Sequence, residues 1–194
     1  TNEPFPSLKK EDIVCIETCN WKPFVVIGSK RDIYTWSVEG QREVKHVHSS
    51  NEDLVTVALS PTGLHILICT EKHIELAFLA SAHTKTLSIW KTLASNVGSA
   101  SSFSNGGHLF ALVFGEVVQV YNTYTQKLVS SLRGHTGRVT ALVFKEGDKL
   151  IATFGEDGVV NCFEINTGKR QVRVFNDNLV YTGGFMSKNF GVAL

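Results

Sequence analysis

The chain has 194 residues, 43% of them hydrophobic and 19% charged, with a formal net charge of +1. That length can bury a core, and the charge is too low for disorder. Near-neutrality excludes the broad basic footprint that nucleic acid or an anionic membrane demands of its partner. The basic clusters Ser29-Lys30-Arg31 and Lys169–Arg173 are short and read as solvated charges.

The amino-terminal tract TNEPFPSLKKED lacks the apolar centre of a signal peptide. It opens without an initiator Met, which is the expected look of a piece of a longer protein. Residues 1–12 read as a linker or the end of a preceding segment. From there, short apolar runs recur with turn signals between them, and no stretch holds a helical period for three turns. That pattern predicts an all-β protein.

In chain order the first set of strands is predicted at 13–18, 24–29, 32–38 and 41–47. Cys15 and Cys19 fall in it, four residues apart, so on one straight strand they would share a face at about 13 Å and could not chelate a metal together. His46 and His48 lie on one face of the fourth strand with no acidic or thiol ligand beside them. Four scattered cysteines make no disulfide scaffold and read as reduced thiols in a cytosolic protein. No metal and no cofactor is expected. The second set is predicted at 54–59, 64–70, 73–79 and 84–90, and the third at 98–103, 108–114, 117–122 and 127–132. The apolar run Leu109–Phe114 is about a quarter of a membrane span. The fourth set falls at 138–144, 149–155, 159–165 and 170–175, followed by a fragment at 179–185 and 189–194.

These sets are copies of one unit. The third strands end at Trp36, Ala77, Tyr121 and Phe163, which are 41, 44 and 42 residues apart. The turns Ser60–Gly63, Ser104–Gly107 and Lys145–Asp148 keep nearly the same period. A period near 42 with four strands per unit is the length of a β-propeller blade. The expected units are 13–53, 54–97, 98–137, 138–178 and a partial one at 179–194. Four and a half blades point to a portion of a larger propeller, because blades are stable by covering one another.

The last complete unit carries the most explicit motif, RGHTGRVTALVFKEGDKLIATFGEDGVVNCFEINTGKRQ. Gly134-His135, Thr153, Asp157-Gly158 and Phe163 resemble the WD40 repeat in order and spacing. The resemblance implies a buried structural tetrad of His135, Thr153, Asp157 and the residue at 163. Phe163 stands where the family has Trp, so one hydrogen bond worth about 1 kcal/mol is absent. The remaining units lack the His and Asp together and are expected to be held mainly by apolar packing. Hydroxyl, imidazole and carboxylate also suggest a hydrolase triad. However, no Gly-X-Ser-X-Gly elbow, Walker loop or dinucleotide fingerprint is present, and no enzyme is expected.

A narrower resemblance rests on CNWKPFVVIGSKRDIYTW, SPTGLHI and FSNGGHLFALVFGEVVQVYNT together with the motif above. These phrases are similar to the cilia- and flagella-associated WD-repeat proteins. That resemblance implies a non-enzymatic interaction scaffold of the ciliary or flagellar axoneme, in the cytoskeleton, near inner-arm dynein or its regulatory complexes. Its partners would be axonemal dynein-associated or microtubule-associated proteins within a large assembly, with no nucleic acid or membrane. The alternative is a general cytosolic WD40 adaptor in ubiquitin ligation, trafficking or RNA processing. On the family pattern, the candidate interaction loops carry Lys30, Arg31, Glu71, Lys72, Glu116, Arg138 and Glu156, a mixture of signs suited to protein partners. Trp21 and Trp90 are the aromatic candidates for an anchor.

Overall fold

The computed structural model describes residues 12–19, 21–37, 44–79, 83–91, 97–175, 185–186 and 192–193. Sixteen strands of β-branched and aromatic residues form four antiparallel sheets of four strands each. Sheet one holds β1 (Ile13–Thr18), β2 (Phe24–Ser29), β3 (Asp32–Ser37) and β4 (Val44–Ser49). Sheet two holds β5 (Leu54–Leu59), β6 (His65–Thr70), β7 (His73–Leu79) and β8 (Thr84–Lys91). Sheet three holds β9 (Val97–Phe103), β10 (Leu109–Phe114), β11 (Val117–Asn122) and β12 (Leu128–Leu132). Sheet four holds β13 (Val139–Phe144), β14 (Leu150–Gly155), β15 (Val159–Glu164) and β16 (Arg170–Phe175). A short pair, β17 (Phe185–Met186) and β18 (Val192–Ala193), follows. Within each four-stranded sheet the strands pair in chain order, as meanders.

The chain forms two compact units, Thr1–Ala94 and Ser95–Leu194. In the first, Val26 and Ile33 of sheet one pack with Val57, Ile66, Ile68 and Ala77 of sheet two. In the second, Ala111, Val113, Val118 and Val120 of sheet three pack with Val139, Leu142, Ile151 and Phe163 of sheet four. Of the inner strands, the second ones are the most apolar; β6 and β10 are almost wholly buried. This is why they read as continuous apolar runs rather than alternating ones.

Every outer strand carries a one-residue bulge. The pairing steps past Val47, Leu87, Val129 and Gln171, positions 40, 42 and 42 apart, so the repeat is written in backbone register as well as in sequence. An extra residue bends a strand and increases its twist. In β4 it also separates two histidines expected on one face. His48 pairs with Ile33 and His46 with Tyr34, with Val47 between them and buried. The fourth strand runs Val44–Ser49 rather than 41–47, and residues 38–43 lie outside those described. The fragment expected at 179–185 falls mostly outside the described residues too. Cys19 lies just beyond the end of β1, its thiol donating to the Pro61 carbonyl at 3.1 Å.

Candidate functional site

In sheet four, β13 is preceded by the loop Arg133–Arg138, which lies over the β14–β15 turn. Asp157 in that turn is the hub. It accepts from the His135 Nδ1–H at 3.0 Å, the Thr136 N–H at 2.8 Å and the Val159 N–H at 3.2 Å. With a neutral ring, His135 Nε2 then accepts from the Thr153 hydroxyl at 2.8 Å. The His135 and Asp157 side chains are 2% and 7% exposed, and Thr153 is fully buried. Burial pushes the Asp157 carboxyl up, but the Thr136 amide, the His135 ring and the Val159 amide outweigh it and hold its pKa below the usual aspartate value.

Two neighbours shape this chain of bonds. Gly155 lies directly beneath it: a Cβ there would stand 2.5 Å from His135 Nδ1 and closer still to Asp157 Oδ1. Phe163 is buried, its ring 3.7 Å from the Cβ position that Gly134 lacks. It packs against the loop but offers no donor, and beyond His135 the Thr153 hydroxyl has only the Asn161 carbonyl nearby, at 3.5 Å. The adjoining Asn161 amide is fully buried with neither its oxygen nor its nitrogen bonded among the described residues.

Sequence reasoning missed two further polar clusters, both in the first unit. In sheet two, Thr70 donates to Glu52 Oε2 at 2.8 Å, and His73 Nδ1 lies 3.2 Å from the same oxygen. Hydroxyl, imidazole and carboxylate are present again, but the acid precedes the first strand, the histidine follows the turn, and Thr70 Oγ1 lies 3.0 Å from the same Nδ1 that faces Glu52, unlike the two-sided arrangement of sheet four. A search for Gly-His and Asp-Gly at fixed spacing cannot find it. In sheet one, Ser49 donates to Asp32 Oδ1 at 2.6 Å, while His46 Nε2 lies 3.1 Å from that oxygen and 3.0 Å from the Ser49 hydroxyl. Acid and hydroxyl meet the same ring nitrogen, so this cluster is not the two-sided relay of a hydrolase. His48 turns away from it to Thr84 of sheet two, at 2.8 Å.

The candidate loop residues fall into two groups. In the first unit, Lys30 pairs with Asp12 at 2.6 Å, Arg31 with Asp53 at 2.6 Å and Lys72 with Glu52 at 3.4 Å. The Leu54 N–H donates to the Lys30 carbonyl and the Ser50 N–H to that of Arg31. The loop before sheet two thereby joins the β2–β3 turn to the β6–β7 turn that holds Glu71. In the second unit, the Val139 N–H donates to Gly115 and the Glu156 N–H to Arg138. Glu116, Gly137 and Arg138 line a cleft of about 410 Å³ there, with Phe114, Val117 and Thr136. Lys30 and Gly115, 85 residues apart, play one role and share one conformation, with φ of 45° and 63°. Trp21 is 71% exposed, whereas Trp90 is half-buried in β8. Among the described residues no helix is long and apolar enough to cross a membrane, and no three His, Cys, Asp or Glu side chains group as metal ligands.

Four-stranded antiparallel meanders that recur every 42 residues or so, one of them closed by a His–Thr–Asp chain, make this an all-β fold of WD-repeat β-propeller blades. No family model matches the chain. Individual relatives do. The chain is 30% identical over 165 residues to cilia- and flagella-associated protein 57 of Mus musculus, covering 84% of this chain and 13% of that protein. It is 28% identical over 184 residues to cilia- and flagella-associated protein 57 A of Tetrahymena thermophila, covering 92% of this chain and 14% of that one. A third relative, 26% identical over 160 residues, is the WD repeat-containing protein AAC3 of Dictyostelium discoideum. The chain thus spans about a seventh of the first two relatives and a third of the last.

Proposed function

We propose that this chain is a non-enzymatic, protein-binding part of a ciliary or flagellar protein, and that its parent acts as an axonemal scaffold linked to inner-arm dynein or its regulatory complexes. One observation carries the reading: the similarity to three proteins named as cilia- and flagella-associated runs over 78% to 92% of the chain. We take the sheets as the units 13–53, 54–97, 98–137 and 138–178, with a further one begun at 179–194. The group His135, Thr153, Asp157 and Phe163 is taken as a structural lock.

A structural role is supported by burial. A substrate cannot reach a hydroxyl that is fully enclosed, and Thr153 is. Binding is then left to the loops, where function on a rigid scaffold usually resides. Glu71, Glu116, Arg138 and Glu156 present both signs of charge at exposed positions, which suits protein partners better than a polyanion. The relative named only for its WD repeats favours a second reading, a general adaptor of a cytosolic complex. Tagging the parent protein in a ciliated cell separates the two. Signal along the axoneme that survives detergent extraction is expected; cytosolic signal that never enters the cilium overturns the ciliary reading and leaves the adaptor.

A further inference from the structure

The outer edge strand β16 carries an unusual charge. From Ile165 to Phe175 the chain reads INTGKRQVRVF, with three cations and no acidic residue, in a protein whose net charge is only +1. All six residues of Arg170–Phe175 are exposed. Among the described residues no strand pairs with the outer side of β16, so a row of backbone N–H and C=O groups faces outward there. None of Lys169, Arg170 and Arg173 has an ion-pair partner among them. The bulge at Gln171 bends the start of the strand and leaves Val172–Phe175 in regular register with β15. Arg173 lies 6.0 Å from the centre of the Phe175 ring, a distance at which the ring favours the cation. The outer strand of sheet one is similar in sign: VKHVHS holds one lysine, two histidines and no acid.

We propose that the outer edge of β16 binds an acidic, extended peptide segment of a partner protein, which adds to sheet four as a fifth strand. Backbone pairing along Val172–Phe175 supplies the alignment, as in other strand-addition complexes. Arg170 and Arg173 select carboxylates on the incoming strand, because guanidinium groups form forked hydrogen bonds with them. The same charge repels a second copy of this edge, which is how proteins keep free edges from pairing with themselves. The edge is therefore closed to its own kind and open to an acidic strand. This surface is distinct from the loops invoked above and does not depend on a ciliary role.

The test uses the 194-residue chain and fluorescein-labelled ten-residue peptides in an anisotropy titration. A peptide of alternating Glu and Val binds, and its amide-matched Lys and Val counterpart does not. Methylating alternate backbone nitrogens of the acidic peptide, which keeps its charge but removes strand pairing, weakens binding about tenfold or more. The double variant R170E/R173E, whose altered side chains are exposed, weakens it by a similar factor. Hydrogen exchange shows added protection at Val172–Phe175 in the complex. Equal binding by the methylated peptide reduces the effect to bulk charge and overturns the proposal, as does undiminished binding by R170E/R173E. The peptide-side comparisons are made on the unaltered protein, so they hold whatever the variant does to folding.

Discussion

Replacing Asp157 with Ala tests the lock in sheet four. The carboxylate accepts three N–H groups, and those of Thr136 and His135 set the range of the loss. The Thr136 amide is at an exposed residue and recovers a water molecule, so its loss is small. His135, with its side chain 2% exposed, keeps a buried Nδ1–H with no acceptor, and an orphaned buried donor costs about 1–3 kcal/mol. The expected destabilisation is about 2 kcal/mol, which in a chain of this length lowers Tm by about 4–8 °C. Thermal unfolding followed by circular dichroism measures it, with Asp157→Asn as the milder comparison because it keeps one acceptor oxygen. If the three side chains act as one unit, His135→Ala and Asp157→Ala together cost less than the sum of the two. A Tm for Asp157→Ala within about 1 °C of the parent would refute the reasoning, since it would mean that the imidazole finds another acceptor or that water already reaches it.

Gly155→Ala attacks the same lock from beneath: the new methyl group cannot coexist with the His135–Asp157 pair, so a loss of about 2 kcal/mol or more is expected by chemical denaturation. Thr70→Val, isosteric but without the hydroxyl that serves Glu52 and His73, should cost about 1–2 kcal/mol, read as a shift of the denaturation midpoint. Burial holds the pKa of His48 and of His65 below the ordinary histidine value. The unfolded chain therefore takes up protons first as pH falls, and stability should decline below about pH 6.5; a Tm flat from pH 7.5 to 5.5 would contradict this. Asp148 and Asp157 act in the other window. Burial raises each carboxyl, but the Gly106 amide and the Asn105 side chain for Asp148, and the Thr136 amide for Asp157, hold both low on balance. Their contribution is complete above about pH 4 and is lost as pH falls through the depressed values.

The strands were legible because second strands such as β6 and β10 are buried on both faces and so appear as unbroken apolar runs. Ile66–Cys69 and Leu109–Val113 are the clearest. The period was legible because turns such as Ser60–Gly63 and Lys145–Asp148 need residues that tolerate unusual backbone angles; Gly63 and Asp148 both have positive φ. The bulges were not legible. Val47, Leu87, Val129 and Gln171 are ordinary strand residues, and nothing in their chemistry marks an extra position. The same limit hid the Glu52–Thr70–His73 cluster. Its members are the chemical types of His135, Thr153 and Asp157, but they come from other places along the chain and meet a single ring nitrogen, so a pattern of spacing does not find them. In sequence Lys30 is an ordinary loop charge, yet its backbone conformation matches that of Gly115.

The bond from the Leu54 N–H to the Lys30 carbonyl, repeated from Val139 to Gly115, bears on the order in which the protein is made. A ribosome releases residue 30 well before residue 54, and residue 115 well before residue 139. During that interval the turn between the second and third strands has emerged without the partner that fastens it. Sheets one and three are thus finished only by the first residue of the sheet that follows, and a nascent chain halted just before Leu54 or Val139 carries an open turn. Expression boundaries set a few residues past the start of a following sheet should therefore yield better-behaved fragments than boundaries set between sheets.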